Sequence, residues 1–279
     1  MIWHLVADSA CDLYTLDGGE GKMDFTTIPF SIRIGGKEYI DDKHMPVSEM
    51  LETNENHAEL AQTACPSPET WREKFSAPGP VIAFTISSAL SGSYNSACSG
   101  RNMVLEEEPD KQIAVIDSKA TGPEQAMLIW RARDLIIAGK TSIKEIEKDL
   151  TETAERLHTS FALSSYHNLI KAGRVSRLVG FIAGHLGFWG IGIGDDRGEI
   201  AIRGKARGSK SMIRFLVEEV GKVGIAGKQI LISHCQNEKD ALALKAALEE
   251  AHPGVEVIVQ ATRGLDSFYA ERSGLIVGY

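Results

Sequence analysis

The sequence has no Cys-x-x-Cys pair: its four cysteines, Cys11, Cys65, Cys98 and Cys235, are scattered through 279 residues. That spacing argues against a structural zinc site and against a secreted disulfide framework. None of the eight histidines is paired at i, i+3 or i, i+4, so the zincin-type metal pair is missing. There is no G-x-x-x-x-G-K-[ST] phosphate loop and no G-x-S-x-G nucleophile elbow. Basic residues are the minority, with Lys+Arg at 30 against Asp+Glu at 38 and a net charge of -8. Nucleic-acid domains carry the opposite balance. One uncharged run, Leu178 to Gly194 with His185 neutral, holds six glycines and falls short of the roughly 20 apolar residues a membrane span needs. It reads as a buried helix followed by a buried strand. Met1 to Asp12 lacks the basic start and apolar length of a signal peptide. The expectation is a cytoplasmic protein without integral membrane association.

What is present is ordinary for a globular chain, 43% hydrophobic and 24% charged. The first half alternates strands and helices. Strands are expected at Trp3–Ala7, Thr26–Ile34, Glu38–Ile40, Val81–Ile86 and Ile113–Ile116, with Gly35 and Gly36 as a two-residue hairpin turn. Ser67 before Pro68 marks a helix start, and another helix is expected from near Ser91. Thr121 to Glu124 and Ser142 to Glu145 both have capping-box spacing, the first ahead of a helix through about Ala138. Ile143, Ile146, Leu150 and Leu157 recur near helical spacing. This alternation predicts an α/β layer with largely parallel strands. The second half offers a strand at Phe161–Leu163 and a helix over Asn168–Lys171. A hairpin follows, Ile191–Ile193 to Ile200–Ile202, then a helix face of Met212, Phe215, Leu216 and Val220. Ile230–Ile232, a helix capped by Asn237, Val255–Val259 and Leu275–Val277 complete it. The join is placed near residue 160, giving domains 1–160 and 161–279.

The chemistry is carried by hydroxyl-rich segments, most of them at strand ends: Ser9, Thr63, the serines 87, 88, 91 and 93, and Ser118 with Thr121. In an open α/β sheet, ligands bind beyond the carboxyl ends of the strands, where helix N-termini offer free N–H groups. The 87–93 loop contains no Lys or Arg. Neutral donors suit a monoanionic carboxylate better than a phosphate. The same serines also make caps and turns, and spacing alone leaves both readings open. Gly190, Gly192 and Gly194 precede a turn instead of a helix, so they do not form a dinucleotide fingerprint. Cys65 reads as a small buried side chain or a reactive thiol. Basic residues concentrate at Lys171, Arg174 and Arg177, then at Arg203, Lys205, Arg207, Lys210 and Arg214. They form either a solvated face or a docking surface for an acidic partner.

In this order, several segments resemble the DegV family of bacterial fatty-acid-binding proteins. They are Asp8-Ser-Ala-Cys-Asp12-Leu13, Thr63-Ala-Cys-Pro-Ser67-Pro68, Ile86-Ser-Ser-Ala-Leu-Ser91-Gly92-Ser93-Tyr94, Asp117-Ser118-Lys119 and Leu169-Ile-Lys171-Ala-Gly173-Arg174-Val-Ser176, with Lys205-Ala-Arg207-Gly208 as a weaker match. The resemblance implies a two-domain α/β fold with a largely parallel N-terminal sheet, a mixed C-terminal sheet and a tunnel between them for one long acyl chain. It places the carboxylate on Thr63 and Ser91, with Gly92, Ser93, Ser9 and Ser118 as further ligand-binding positions. It also implies that a separate fatty-acid kinase converts the bound acid to an acyl-phosphate, the carrier itself using no cofactor. Arg174, Lys205 and Arg207 become contacts for that partner or for the phosphate. Members typically carry Gly-Gly-Arg where this chain has Ala172-Gly173-Arg174, and Ile-Lys-Pro where it has Gly190-Ile191-Gly192. Tyr269 stands near the His of a family His-x-Gly-Pro-Gly segment and supplies a neutral donor in its place. The glycine-rich 178–189 segment, with Phe181 and Phe188, is the expected tunnel wall, plain core being the alternative.

The leading expectation is therefore a fatty-acid carrier that does no chemistry alone. A Ser91-dependent hydrolase or acyltransferase, paired with His167 or His234, is the second reading. A regulatory protein that uses the ligand as a signal is the third.

Overall fold

The computed structural model describes residues 2–57, 61–175, 187–223, 225 and 229–279. In chain order, β1 (Trp3–Asp8), β2 (Met23–Ile28), β3 (Ser31–Ile34), β4 (Lys37–Ile40), α1 (Val47–Asn56) and β5 (Gln62–Ala64) come first. They are followed by α2 (Pro68–Phe75), β6 (Val81–Thr85), α3 (Ser93–Glu107), β7 (Ile113–Asp117), α4 (Pro123–Ile137) and α5 (Ile143–Ala154). The remainder is β8 (Thr159–Leu163), α6 (His167–Lys171), β9 (Phe188–Gly194), β10 (Ile200–Arg207), α7 (Ser209–Gly221), β11 (Gln229–His234), α8 (Glu238–Ala251), β12 (Glu256–Ala261), α9 (Gly264–Ala270) and β13 (Leu275–Gly278).

Three sheets result. A parallel sheet runs in the order β2-β1-β6-β7. Its inner strands β1 and β6 are largely apolar and buried, as expected for a sheet covered on both faces. One face packs on α4 and α5 through Ile129, Ala132, Ile146 and Leu150. The other packs on α2 and α3 through Trp71, Phe75, Ala97 and Val104. A mixed six-stranded sheet runs β10-β9-β8-β13-β11-β12, with α7 and α8 on one face. A small antiparallel sheet, β4-β3-β5, packs on the mixed sheet: Ile32, Ile34 and Tyr39 share a buried cluster with Phe161, Leu163 and Ile276. Residues early in the chain thus complete the core of its second half.

Proline explains the main departure from the expected strands. The run Thr26–Ile34 is two strands, broken at Pro29, which has no N–H to give a ladder. The next amide, Phe30 N–H, donates to Ser9 Oγ at 3.0 Å, and the chain leaves the parallel sheet for the small one. Gly35 and Gly36 both take positive φ, 54° and 82°, which the mirror-image hairpin turn requires. Ser67 caps α2 by accepting from Thr70 N–H at 3.2 Å, and Ser142 caps α5 through Glu145 N–H at 3.4 Å. The box at Thr121 does not form. Gly122 is the cap residue of α4, with φ 57° and no side-chain cap bond. Thr121 and Glu124 turn elsewhere, as described below. Helix α3 begins at Ser93, two residues beyond the expected start. The 178–194 run yields strand β9 from Phe188 onward; its first part, with Phe181, lies outside the described residues, as do Ser176 and Arg177. No helix among the described residues is long and apolar enough to cross a membrane.

Candidate ligand cavity

The loops beyond the carboxyl ends of β6 and β7 face the mixed sheet across a cleft. Strand β1 lies between β2 and β6, where the direction of strand succession reverses, and this is where open α/β sheets bind ligands. Its last residue, Asp8, ties the loops together. Asp8 accepts from Ile86 N–H at 3.0 Å, Ser93 Oγ–H at 2.6 Å and Gln125 Nε2–H at 2.9 Å. Complete burial still pushes its carboxyl up to about 6 against these bonds.

The cleft holds about 860 Å³ of atom-free space, part of it open to solvent. Phe30, Ile86, Leu90, Ala120 and Leu265 line one side; Phe161, Leu163, Ile200 and Ile276 line the other. At one end, Thr63 Oγ1 and Tyr269 Oη lie 2.9 Å apart in a hydrogen bond. Strand β5 brings in Thr63, and α9 brings in Tyr269, whose ring packs edge-on against Phe268 with centroids 4.9 Å apart. Ser91 joins the lining from the β6–α3 loop. Its hydroxyl accepts from Ser93 N–H at 3.3 Å and reaches the Cys65 thiol. Burial raises that thiol, which works against a reactive thiolate. At the other end, Lys119, Thr159 and Gly194 are shared with a second, more polar cleft toward Glu155 and Asp195.

The structure therefore brings four of the hydroxyls singled out in the sequence, Thr63, Ser91, Thr121 and Tyr269, to the cavity lining and separates the others. Ser9, Ser93 and Ser118 are fully buried and line no part of the cavity. Ser9 accepts from Phe30, Ser93 donates to Asp8, and Ser118 donates to Ala120 O at 3.0 Å. Buried hydroxyls are satisfied within the protein, so these three brace the loops. Gly92 lies in an outer groove beside the cavity mouth, with Ser88, Asn95 and Arg174. Arg174 is at the mouth, and its Nε–H donates to Leu90 O at 3.0 Å. It thereby bridges the end of α6 to the serine loop. Lys205 and Arg207 are exposed on β10 away from the lining, with Arg207 5.6 Å over the Phe188 ring. Of the expected wall at 178–189, residues 178–186 lie outside the described residues and Trp189 belongs to the core against α7 and α8; among the described residues, strands β8 and β13 with α9 supply the wall. No histidine lines the cavity among the described residues, so the Ser91–His167 or Ser91–His234 pair does not form; His234 Nδ1 accepts from Asn237 N–H at 3.2 Å.

The sequence reading missed four polar residues in the lining: Lys119, Thr159, Glu199 and Asp266. Asp266 stands in no motif. Two further buried acids were missed. Glu124 accepts from Thr159 Oγ1–H at 2.5 Å and burial pushes it up to about 7. Asp41 accepts from the first two amides of α9, Gly264 at 2.8 Å and Leu265 at 3.0 Å.

Comparison with known proteins agrees with this architecture. The family model described as "Uncharacterised protein, DegV family" matches residues 2–269. A DegV domain-containing protein of Streptococcus pneumoniae is 35% identical over 279 residues, covering 100% of this chain and 99% of that protein. The crystal structure of the Streptococcus pneumoniae Fatty Acid Kinase (Fak) B3 protein loaded with linoleic acid superimposes with a TM-score of 0.96, at 35% identity and with 100% and 99% of the two chains covered. A DegV family protein from Eubacterium eligens loaded with heptadecanoic acid gives a TM-score of 0.93 at 34% identity, covering 99% and 98%. The two-sheet architecture, the cleft between the sheets and the match along nearly the whole length make the chain a member of the DegV family.

Proposed function

We propose that this protein binds one long-chain fatty acid in the cleft, with its carboxylate on the hydroxyls of Thr63, Tyr269 and Ser91, and presents it to a separate fatty-acid kinase for conversion to an acyl-phosphate. One observation carries the reading: a largely apolar cavity has, at one end, uncharged hydroxyl donors and no lysine. Solved relatives above 30% identity hold linoleic and heptadecanoic acid, and one is the Fak B3 protein of a fatty-acid kinase. A bound carboxylate would replace the Thr63–Tyr269 bond with one bond from each hydroxyl. The tail supplies the affinity: each buried methylene contributes about 0.8 kcal/mol, so sixteen carbons contribute on the order of 10 kcal/mol before the costs of binding. Arg174, Lys205 and Arg207 are the residues proposed to meet the kinase or the phosphate, Arg174 at the mouth and the other two on exposed β10. The protein acts as carrier, with the phosphoryl chemistry in the partner.

Denaturing extraction of purified protein followed by mass spectrometry tests the reading. A stoichiometric acyl chain is expected. Its absence, together with no uptake of added oleate, contradicts the proposal. Adding a bacterial fatty-acid kinase with ATP should yield acyl-phosphate only when this protein is present.

A further inference from the structure

Two carboxylate oxygens in the interior have no donor. Asp12 Oδ1 accepts from Arg263 N–H at 2.6 Å, and Asp266 Oδ1 accepts from Thr121 Oγ1–H at 2.6 Å. The second oxygen of each, Asp12 Oδ2 and Asp266 Oδ2, is buried and has no hydrogen-bond partner within 3.5 Å; the Ser233 hydroxyl is the one other side-chain donor that acts on Asp12. Both point to the same spot above Gly122: a Cβ built there would lie 2.6 Å from Asp266 Oδ2 and 3.0 Å from Asp12 Oδ2. The Gly122 amide cannot serve them, because it donates to Ala10 O at 2.6 Å. Asp12 and Asp266 are 5% and 3% exposed. Two ionised carboxylates so placed would repel each other without solvent screening. A proton between them satisfies both orphan atoms at once.

We infer that Asp12 and Asp266 share one proton, and that this carboxyl–carboxylate bond positions α9, and through it Tyr269, at the head of the ligand cavity. Asp266 and Tyr269 are one helical turn apart on α9, so a shift at one moves the other. The surrounding charges leave the pair to itself. Arg263 is the one cation facing it, and its guanidinium is held by Leu13 O, Thr27 Oγ1 and Asp41 O, with its centre 4.3 Å from the Tyr14 ring. Asp41, the third acid, is balanced by Arg263 and by the α9 amides. Cys11 and Cys235 are the neighbouring thiols, both held protonated by burial. From α4, Glu124 turns to Thr159. Burial raises both members of the pair, Asp12 to about 7 and Asp266 well above the usual carboxylate range. The bond persists while at least one proton stays on the pair and breaks when the last one leaves, on the alkaline side of the range, and ligand retention should weaken with it.

The inference rests on the fatty-acid reading for its ligand readout, and the test separates the two. The release rate of bound oleate to albumin is measured from about pH 6 to about pH 8.5. In the wild type it should rise by about tenfold over this range. In Asp266→Asn the amide donates to Asp12 at every pH, and in Asp12→Asn it donates to Asp266, so release from either variant should be flat with pH. In the double variant two amide donors face each other, so it should release fast throughout and its urea midpoint should fall far below the sum of the single effects. Infrared absorption of protonated carboxyls should lose one group's intensity in each single variant. A wild-type slope that survives in both single variants, or an additive double variant, overturns the shared proton. If the wild type takes up no oleate at any pH, the ligand reading fails, and the urea cycle and the infrared band still decide the pair.

Discussion

At the scale of single residues, the head of the cavity depends on three hydroxyls that reach it from three separate elements. Thr63 and Tyr269 are 206 residues apart in sequence and 2.9 Å apart in space. Neither hydroxyl carries charge, so each can donate to a carboxylate without the desolvation cost that a buried lysine would bring. Hydrogen bonds to a charged group contribute roughly 1.5–3 kcal/mol. Thr63→Val, which keeps the volume and removes the donor, should therefore weaken oleate binding by about ten- to a hundredfold in a calorimetric titration. Tyr269→Phe should do the same. The double variant should lose more than the two effects combined, because each single change also frees the other hydroxyl from its partner. Unchanged affinity in both single variants would remove the clamp from the account.

At the scale of elements, what positions the site is how α4 and α9 begin. Helix α4 starts from Gly122 at φ 57°, a conformation that L residues adopt only under strain. A methyl group there would press on both Asp12 and Asp266. Gly122→Ala should cost about 1–3 kcal/mol, seen as a lowered urea midpoint with unchanged slope; a neutral result would mean that the turn is not constrained as described. The start of α4 also shows where sequence reading reaches its limit. Ser67 and Ser142 cap as their spacing predicts, because the bond is local. Thr121 has the same spacing, but its hydroxyl bonds to Asp266, far away in the chain, and only the tertiary fold supplies that competitor. Alternation of apolar runs made β1, β6, β7 and the β9–β10 hairpin legible. Strand β5 and helices α1 and α9 were not: three residues, Gln62–Ala64, carry too little pattern, and α9 is a seven-residue helix whose first amides are capped by Asp41 from another part of the chain. Thr63 and Ser91 were legible because motif and position agreed. Ser9, Ser93 and Ser118 looked alike in sequence, and only burial distinguishes a bracing hydroxyl from one that faces a ligand.

At the scale of the whole molecule, the interior carries several carboxyls whose protonation belongs to the folded state alone. Burial raises Asp8 to about 6 and Asp12 and Glu124 to about 7, with Asp266 well above the usual carboxylate range and Asp41 also raised. Their unfolded values are the ordinary ones, near 4. Between those limits the folded state binds more protons than the unfolded chain, so stability is greatest at the acid side and declines as pH rises through about 6 to 7. Carboxyls with lowered values, such as Asp149 beside Arg131 and Asp195 at the β9–β10 turn, act only at lower pH and do not reverse the trend. The urea midpoint should fall between about pH 5 and about pH 8, and Glu124→Gln should flatten the fall. A midpoint that climbs over this interval would contradict the assignment of these groups. The same architecture carries the proposed orientation of the ligand, since at one end of the cavity Thr63 and Tyr269 bond to each other and can turn to a carboxylate. A crystal structure of the protein with added oleate tests this directly. The account predicts continuous elongated density along Phe161, Leu163 and Ile276, with the carboxylate within hydrogen-bond distance of Thr63 and Tyr269. Density with the carboxylate at the Lys119 and Thr159 end, or no acyl chain between the sheets, would contradict it.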